Sequence, residues 1–144
     1  MVTKSVSSQW SALLAVQRAA HSTVHVLTDQ LADLGLTGSD INALANLGSG
    51  SGQTVSELAV AAGVRPTTMT SVLDRLEHRG LVSRGSVPSD RRAVLVELTP
   101  SGRRVASAIR RAITSLERRA LSDLPAEAIA GLRAGLTAMA EVSP

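Results

Sequence analysis

Apolar residues recur at spacings of three and four through most of this chain, and in one short stretch they alternate instead. Leu13, Ala20, Val24, Leu27, Leu31 and Leu34 form one stripe, which predicts a long helix over residues 8–34 with Gly35 as its stop. Thr37 and Asp40 have the spacing of a capping box, in which each side chain takes the other's backbone amide. A short helix to Leu47 follows, with Ile41, Leu44, Ala45 and Leu47 inward. Residues 48–52, Gly-Ser-Gly-Ser-Gly, read as a flexible surface connection. Thr54 and Glu57 repeat the capping box; Val55, Leu58, Ala59 and Ala62 supply a buried face, and Gly63 ends that helix. Pro66 suits the first turn of the next, where Met69, Val72, Leu73 and Leu76 fall at i, i+3, i+4 and i+7, and Gly80 closes it. Its other face offers Thr67, Thr68, Ser71, Asp74, Arg75 and His78.

The period then changes. Residues 81–87 and 93–98 read as strands joined by the turn Pro-Ser-Asp-Arg-Arg at 88–92; Val94, Val96 and Leu98 alternate with Ala93, Leu95 and Glu97, the pattern of a half-buried strand. Thr99-Pro100 caps a helix running to about Ala120, with Val105, Ile109, Ala112 and Leu116 on one seam. A last helix near 125–142 carries Ile129, Leu132, Leu136 and Met139. The outline is a mainly α chain with a small β-hairpin. A module at 37–98 is flanked by helices at 8–34 and 100–142, all within one domain spanning 1–144. That module covers only part of the flanking stripes. Burial is worth about 25 cal/mol per Å² of apolar surface, and apolar stripes left in water invite aggregation. A homodimer joined through the first and last helices answers both points.

Composition narrows the function. At 144 residues, 44% hydrophobic and 19% charged, the chain has enough apolar surface for a core and is not disordered. It has no cysteine, which excludes disulfides, thiolate metal sites and thiol redox sensing. No apolar run is long enough to cross a bilayer and residues 1–10 lack a secretory pattern, so a cytoplasmic location without membrane partners is expected. Trp10 is the one aromatic residue, which argues against base stacking; groove insertion into a duplex needs no aromatics. Trp10 is assigned to the dimer seam. Fourteen of the fifteen basic residues are Arg, as GC-rich coding produces, but their placement is not explained by composition. Residues 54–104 hold eight Arg and five acids, a charge of +3, while the remainder sums to zero. The net charge therefore sits where phosphate attraction would need it.

The order capped helix, tight turn, helix, strand, Arg-rich turn, strand suits a module that lays one helix in a DNA groove and a β-turn beside it. Arg91 and Arg92 fit a narrow minor groove, which attracts Arg electrostatically. A carboxylate facing DNA needs a partner, so Asp90 is assigned to Arg92. Arg75 either pairs with Asp74 or Glu77 or reads guanine; Arg84 faces the DNA backbone; Arg79 complements the helix dipole. Among the Arg pairs, 110/111 and 118/119 read as a solvated face, whereas Arg103 and Arg104 stand near the wing. His21 and His25 have metal-ligand spacing at i, i+4, but two nitrogens do not make a site, and no metal or cofactor is expected. No nucleophile elbow, paired carboxylates or Gly-rich loop before a Lys is present, so the chain is not read as an enzyme.

The stretch Gly-Val-Arg-Pro-Thr-Thr-Met-Thr-Ser-Val-Leu-Asp-Arg-Leu-Glu-His-Arg-Gly-Leu-Val at 63–82, with Ser-Asp-Arg-Arg-Ala-Val-Leu-Val-Glu-Leu-Thr-Pro-Ser-Gly-Arg at 89–103, resembles the MarR family of winged helix-turn-helix regulators. The resemblance implies a winged helix-turn-helix fold with N- and C-terminal dimerisation helices. It also implies a dimeric, sequence-specific DNA-binding regulator, a repressor relieved by a small aromatic or phenolic effector. Double-stranded DNA contacts would come from Arg65, Thr67, Thr68, Ser71, Arg75, Arg84, Asp90, Arg91 and Arg92, with Asp90 holding Arg92 in the minor groove. Family geometry would place Arg18, His21, His25, Asn42 and Asn46 around an effector. Arg65, where the family often has Ser or Thr, and Ser71, where it often has Arg, depart from the pattern and imply an unusual operator. The alternative is a winged-helix module for protein association without specific DNA binding.

Overall fold

The computed structural model describes residues 11–48 and 50–142. Its elements are α1 (Ala12–Gln30), α2 (Gly38–Leu47), β1 (Gln53–Thr54), α3 (Val55–Ala62), α4 (Pro66–His78), β2 (Val82–Val87), β3 (Asp90–Leu98), α5 (Pro100–Leu121) and α6 (Ala126–Ala140). Three antiparallel strands form one sheet in the order β1-β3-β2. The architecture is thus mainly helical with a small sheet, as the periodicities imply.

Both capping boxes form. The Thr37 hydroxyl accepts from the Asp40 amide and the Asp40 carboxylate from the Thr37 amide, and Thr54 and Glu57 repeat the exchange at α3. The first helix is shorter than its stripe predicts. It ends at Gln30; Leu31 leaves helical geometry at φ −107°, a 3-10 turn covers Ala32–Leu34, and Gly35 closes that turn at φ 61°. Its predicted start at residues 8–10, and with it Trp10, lies outside the described residues. The sequence also gives no sign of β1. Two residues between a Gly-Ser loop and a helix cap are too few for an alternating pattern, yet Gln53 and Thr54 pair with Val96 and Leu95.

The core lies between α2, α3, α4 and the sheet, with Ile109 of α5 against it. Leu44, Leu47, Leu58, Met69, Leu73, Leu76 and Val96 are fully buried. This sets α4 in place, because Met69, Val72, Leu73 and Leu76 bury one face and leave the other outward. The end of α4, the start of β2 and the start of α5 meet at one junction. The Thr99 hydroxyl donates to the Gly80 carbonyl at 2.6 Å and accepts from the Gly102 amide at 3.0 Å, while the Thr99 amide reaches the Leu81 carbonyl at 3.1 Å. Gly102 is required by close approach: a Cβ there would lie 1.8 Å from the Leu81 carbonyl oxygen.

The flanking helices differ. α6 buries no residue, and Leu13, Leu14, Val24, Leu132 and Leu136 stay exposed. Between α1, α5 and α6 lies an apolar cavity of about 870 Å³, lined by residues such as Val16, Ala20, Leu116, Leu132 and Leu136.

Candidate nucleic-acid interface

α3 and α4 are joined by Gly63, left-handed at φ 69°, with Arg65 at the N-cap position and Pro66 at the first helical one. The turn presents the outer face of α4. Arg65, Thr67, Thr68 and Ser71 are all exposed. The Ser71 hydroxyl lies 3.4 Å from the Thr67 carbonyl, too long for a good O–H···O bond, so it keeps its capacity for an outside partner. The Arg65 side chain makes no capping bond, in keeping with its type.

The arginines divide into two groups. Arg75 pairs with neither Asp74 nor Glu77. Its guanidinium donates to Oδ1 of Asp40 at 2.9 Å, across 35 residues, while Oδ2 of the same buried carboxylate accepts the Thr37 amide at 3.0 Å. Asp74 and Glu77 are instead taken by Arg84, at 2.7 and 2.9 Å. Hydrogen bonds to Glu77 and then Asp74 push the Arg84 guanidinium above its ordinary pKa. Doubly paired, Arg84 ties the wing's first strand to α4. Arg79 reaches back to the Leu34 and Gly35 carbonyls at 2.6 and 3.1 Å and so closes the turn after α1. Arg103 donates to the Leu98 carbonyl, and Arg104 to the Ser101 hydroxyl.

By contrast Arg65, Arg91 and Arg92 are exposed, and their guanidinium groups make no hydrogen bond or ion pair among the described residues. The wing carrying the last two differs from its predicted form. The turn is only Pro88 and Ser89, and β3 already begins at Asp90. A shift of register between Ser86 and Val87 leaves residues 91–93 in a bulge, since Val87 faces Asp90 and Ser86 faces Val94. Asp90 does not grip the Arg92 guanidinium. Its carboxylate accepts the Arg92 backbone amide at 2.9 Å, which fixes the chain at the bulge and leaves the charged group outward.

The residues assigned to an effector do not gather around the large cavity, and none of the five lines it. Arg18, His21 and His25 are exposed on α1, and His25 stands 3.7 Å from Asp29. The Asn42 amide donates to the Ala62 carbonyl, and the Asn46 amide to Asn42. No group of three metal-ligating side chains occurs among the described residues, and none of the described helices is long and apolar enough to cross a membrane. Sequence reasoning missed Asp40 as a partner of the outward helix. Its capping role was visible, but the bond to Arg75 joins elements distant in the chain.

Two helices about a glycine turn, with a bulged hairpin bonded to the second, define a winged helix-turn-helix protein. A family model described as MarR family matches residues 34–93. A helix-turn-helix-type transcriptional regulator of Mycobacterium tuberculosis is 39% identical over 74 residues, 51% of this chain and 52% of the relative, so the chain matches about half the length of such relatives. A MarR-family transcriptional regulator from Silicibacter pomeroyi superimposes with a TM-score of 0.77 at 26% identity, over 89% of this chain and 86% of that one. NadR in complex with 4-hydroxyphenylacetate aligns with a TM-score of 0.83 over 99% and 100% of the two chains; at 22% identity that likeness is one of fold.

Proposed function

We propose that this protein is a dimeric transcription regulator that binds specific double-stranded DNA. α4 enters the major groove, and Arg91 and Arg92 reach the adjacent minor groove. The observation that carries this is the division of the arginines. Arg75, Arg79 and Arg84 are spent on the protein itself, while the guanidinium groups of Arg65, Arg91 and Arg92, beside the hydroxyl face of α4, have no partner among the described residues. Guanidinium groups held in that way are suited to phosphate and to narrow grooves. Base readout then falls to Thr67, Thr68 and Ser71. Two copies meet through α1, α5 and α6, whose exposed apolar residues and open cavity a second chain would cover. Two-fold symmetry spaces the α4 helices about 34 Å apart, one DNA turn.

The regulation is repression, relieved by a small aromatic or phenolic acid. Family likeness supports this, including a fold shared with a protein that binds 4-hydroxyphenylacetate. Arg18, His21, His25, Asn42 and Asn46 are the side chains offered to such an acid.

The test is an electrophoretic shift with DNA from upstream of the gene at physiological salt. A specific shift that Arg92→Ala weakens supports the reading; absence of a specific shift on any upstream fragment favours a protein-association module. Adding 4-hydroxyphenylacetate should release the DNA, and undiminished binding at saturating acid would remove the phenolic effector from the reading.

A further inference from the structure

Charge is far more uneven along this chain than its total indicates. α5 holds six arginines and one glutamate, a net +5 on 22 residues, so the rest of the chain is −2. The glutamate, Glu117, is engaged by Arg133 of α6 at 2.9 Å. Arg103, Ser107, Arg111, Thr114 and Arg118 succeed one another at helical spacings of four, four, three and four, with Arg110 beside them. At 3.6 residues per turn they lie opposite Val105, Ile109, Ala112 and Leu116. A second copy covering the apolar seam would leave this polar stripe open.

Two adjoining hollows follow the stripe. One, of about 390 Å³, lies among Arg103, Ser107, Arg110 and Arg111. The next, of about 310 Å³, lies among Arg110, Arg111, Thr114, Ser115 and Arg118. They share the two central arginines, and no carboxylate lines either. Glu97 shares a further hollow with Arg103. The Arg110 side chain already donates to the Gly48 carbonyl, while the Arg111 and Arg118 side chains have no bond among the described residues.

A helix face that merely meets water gains from acids and bases interleaved at i, i+4. Here Arg111 has Ser107 and Ser115 at those positions, and Arg118 has Thr114 and Ser122. Arg103 and Arg104 stand in the first turn, where the dipole disfavours cations. Arg118 and Arg119, in the last turn, suit the dipole, but Arg103, Arg110 and Arg111 gain nothing of that kind. Guanidinium forks interleaved with hydroxyls are, however, a donor set for phosphate oxygens.

We propose that this face of α5 binds a small molecule bearing two or more phosphate groups, seated across the two hollows with Arg111 and Arg118 as its main contacts. The site is separate from α4 and the wing, and it stands whether or not the protein binds DNA. Inorganic tripolyphosphate, titrated calorimetrically into the whole protein at physiological salt, is the probe. Saturable binding is expected, weakened about tenfold or more by R111A/R118A, the loss of two charge-assisted contacts. R119A removes a charge off the stripe and should change binding by less than about twofold, since it removes no such contact. Failure of tripolyphosphate to bind, or equal weakening by both variants, overturns the site. The stripe would instead be a DNA-backbone contact, and the proposal wrong, if R111A/R118A lowered affinity for an upstream duplex while leaving tripolyphosphate binding intact.

Discussion

Gly102 is the most sterically constrained residue of the junction. Its missing side chain lets the first turn of α5 rest on the Leu81 carbonyl, and a methyl group there would meet a backbone atom at 1.8 Å. Backbone cannot turn aside as a side chain can. Gly102→Ala should therefore destabilise the fold by roughly 3 kcal/mol or more, at or above the usual cost of overpacking; an unchanged denaturation midpoint would contradict this geometry. Asp40 is a second case. Its carboxylate serves the α2 cap and Arg75 together, so Asp40→Ala should cost about 1–3 kcal/mol through groups left unpaired. Thr37→Ala, which loses only its hydroxyl's half of the box, should cost about 1 kcal/mol. Chemical denaturation of the two variants checks the order.

At the scale of elements, α4 and the wing act as one piece. Arg84 holds both carboxylates of α4 from the wing's first strand, and Asp40 holds Arg75 from α2. Under the DNA-binding reading, two kinds of arginine should behave differently. Arg92→Ala should weaken operator binding and reduce the salt slope by about 0.9, one phosphate's worth. Arg75→Ala should weaken binding to all sequences without relaxing preference at any one base pair, because it positions the helix and reads nothing. Binding measured across salt concentrations and single-base operator variants separates them. Much of this part was legible in the sequence. The capping boxes, the stripe of Met69, Val72, Leu73 and Leu76, and the alternation in β3 are local patterns that local geometry obeys. What escaped was non-local. The partners of Arg75, Arg79 and Arg84 depend on how helices cross, and β1 exists only because β3 offers it an edge. The wing bulge also shifted the role of Asp90 from a side chain to a backbone amide.

For the whole molecule, the exposed Leu132 and Leu136 on a helix that buries nothing set the expectation for assembly. Sedimentation velocity should give a dimer, and Leu132→Glu with Leu136→Glu should give monomers that keep their helical content. A wild-type monomer at micromolar concentration would remove the two-fold arrangement. The division into flanks and centre was readable from where the stripes fall; which side of α5 packs inward and which faces out needed the helix placed against α2 and the sheet.

The junction at Thr99 sets limits on how such a chain can drift in length. Gly80, Leu81, Thr99 and Gly102 are tied by three hydrogen bonds and one backbone contact, so a residue gained or lost within 79–82 or 98–102 would throw these partners out of step. The tip at Pro88 and Ser89 bears no such tie. Relatives should thus vary freely in hairpin length while keeping a fixed count at the base, and a tag spliced into the tip would be carried without loss of fold.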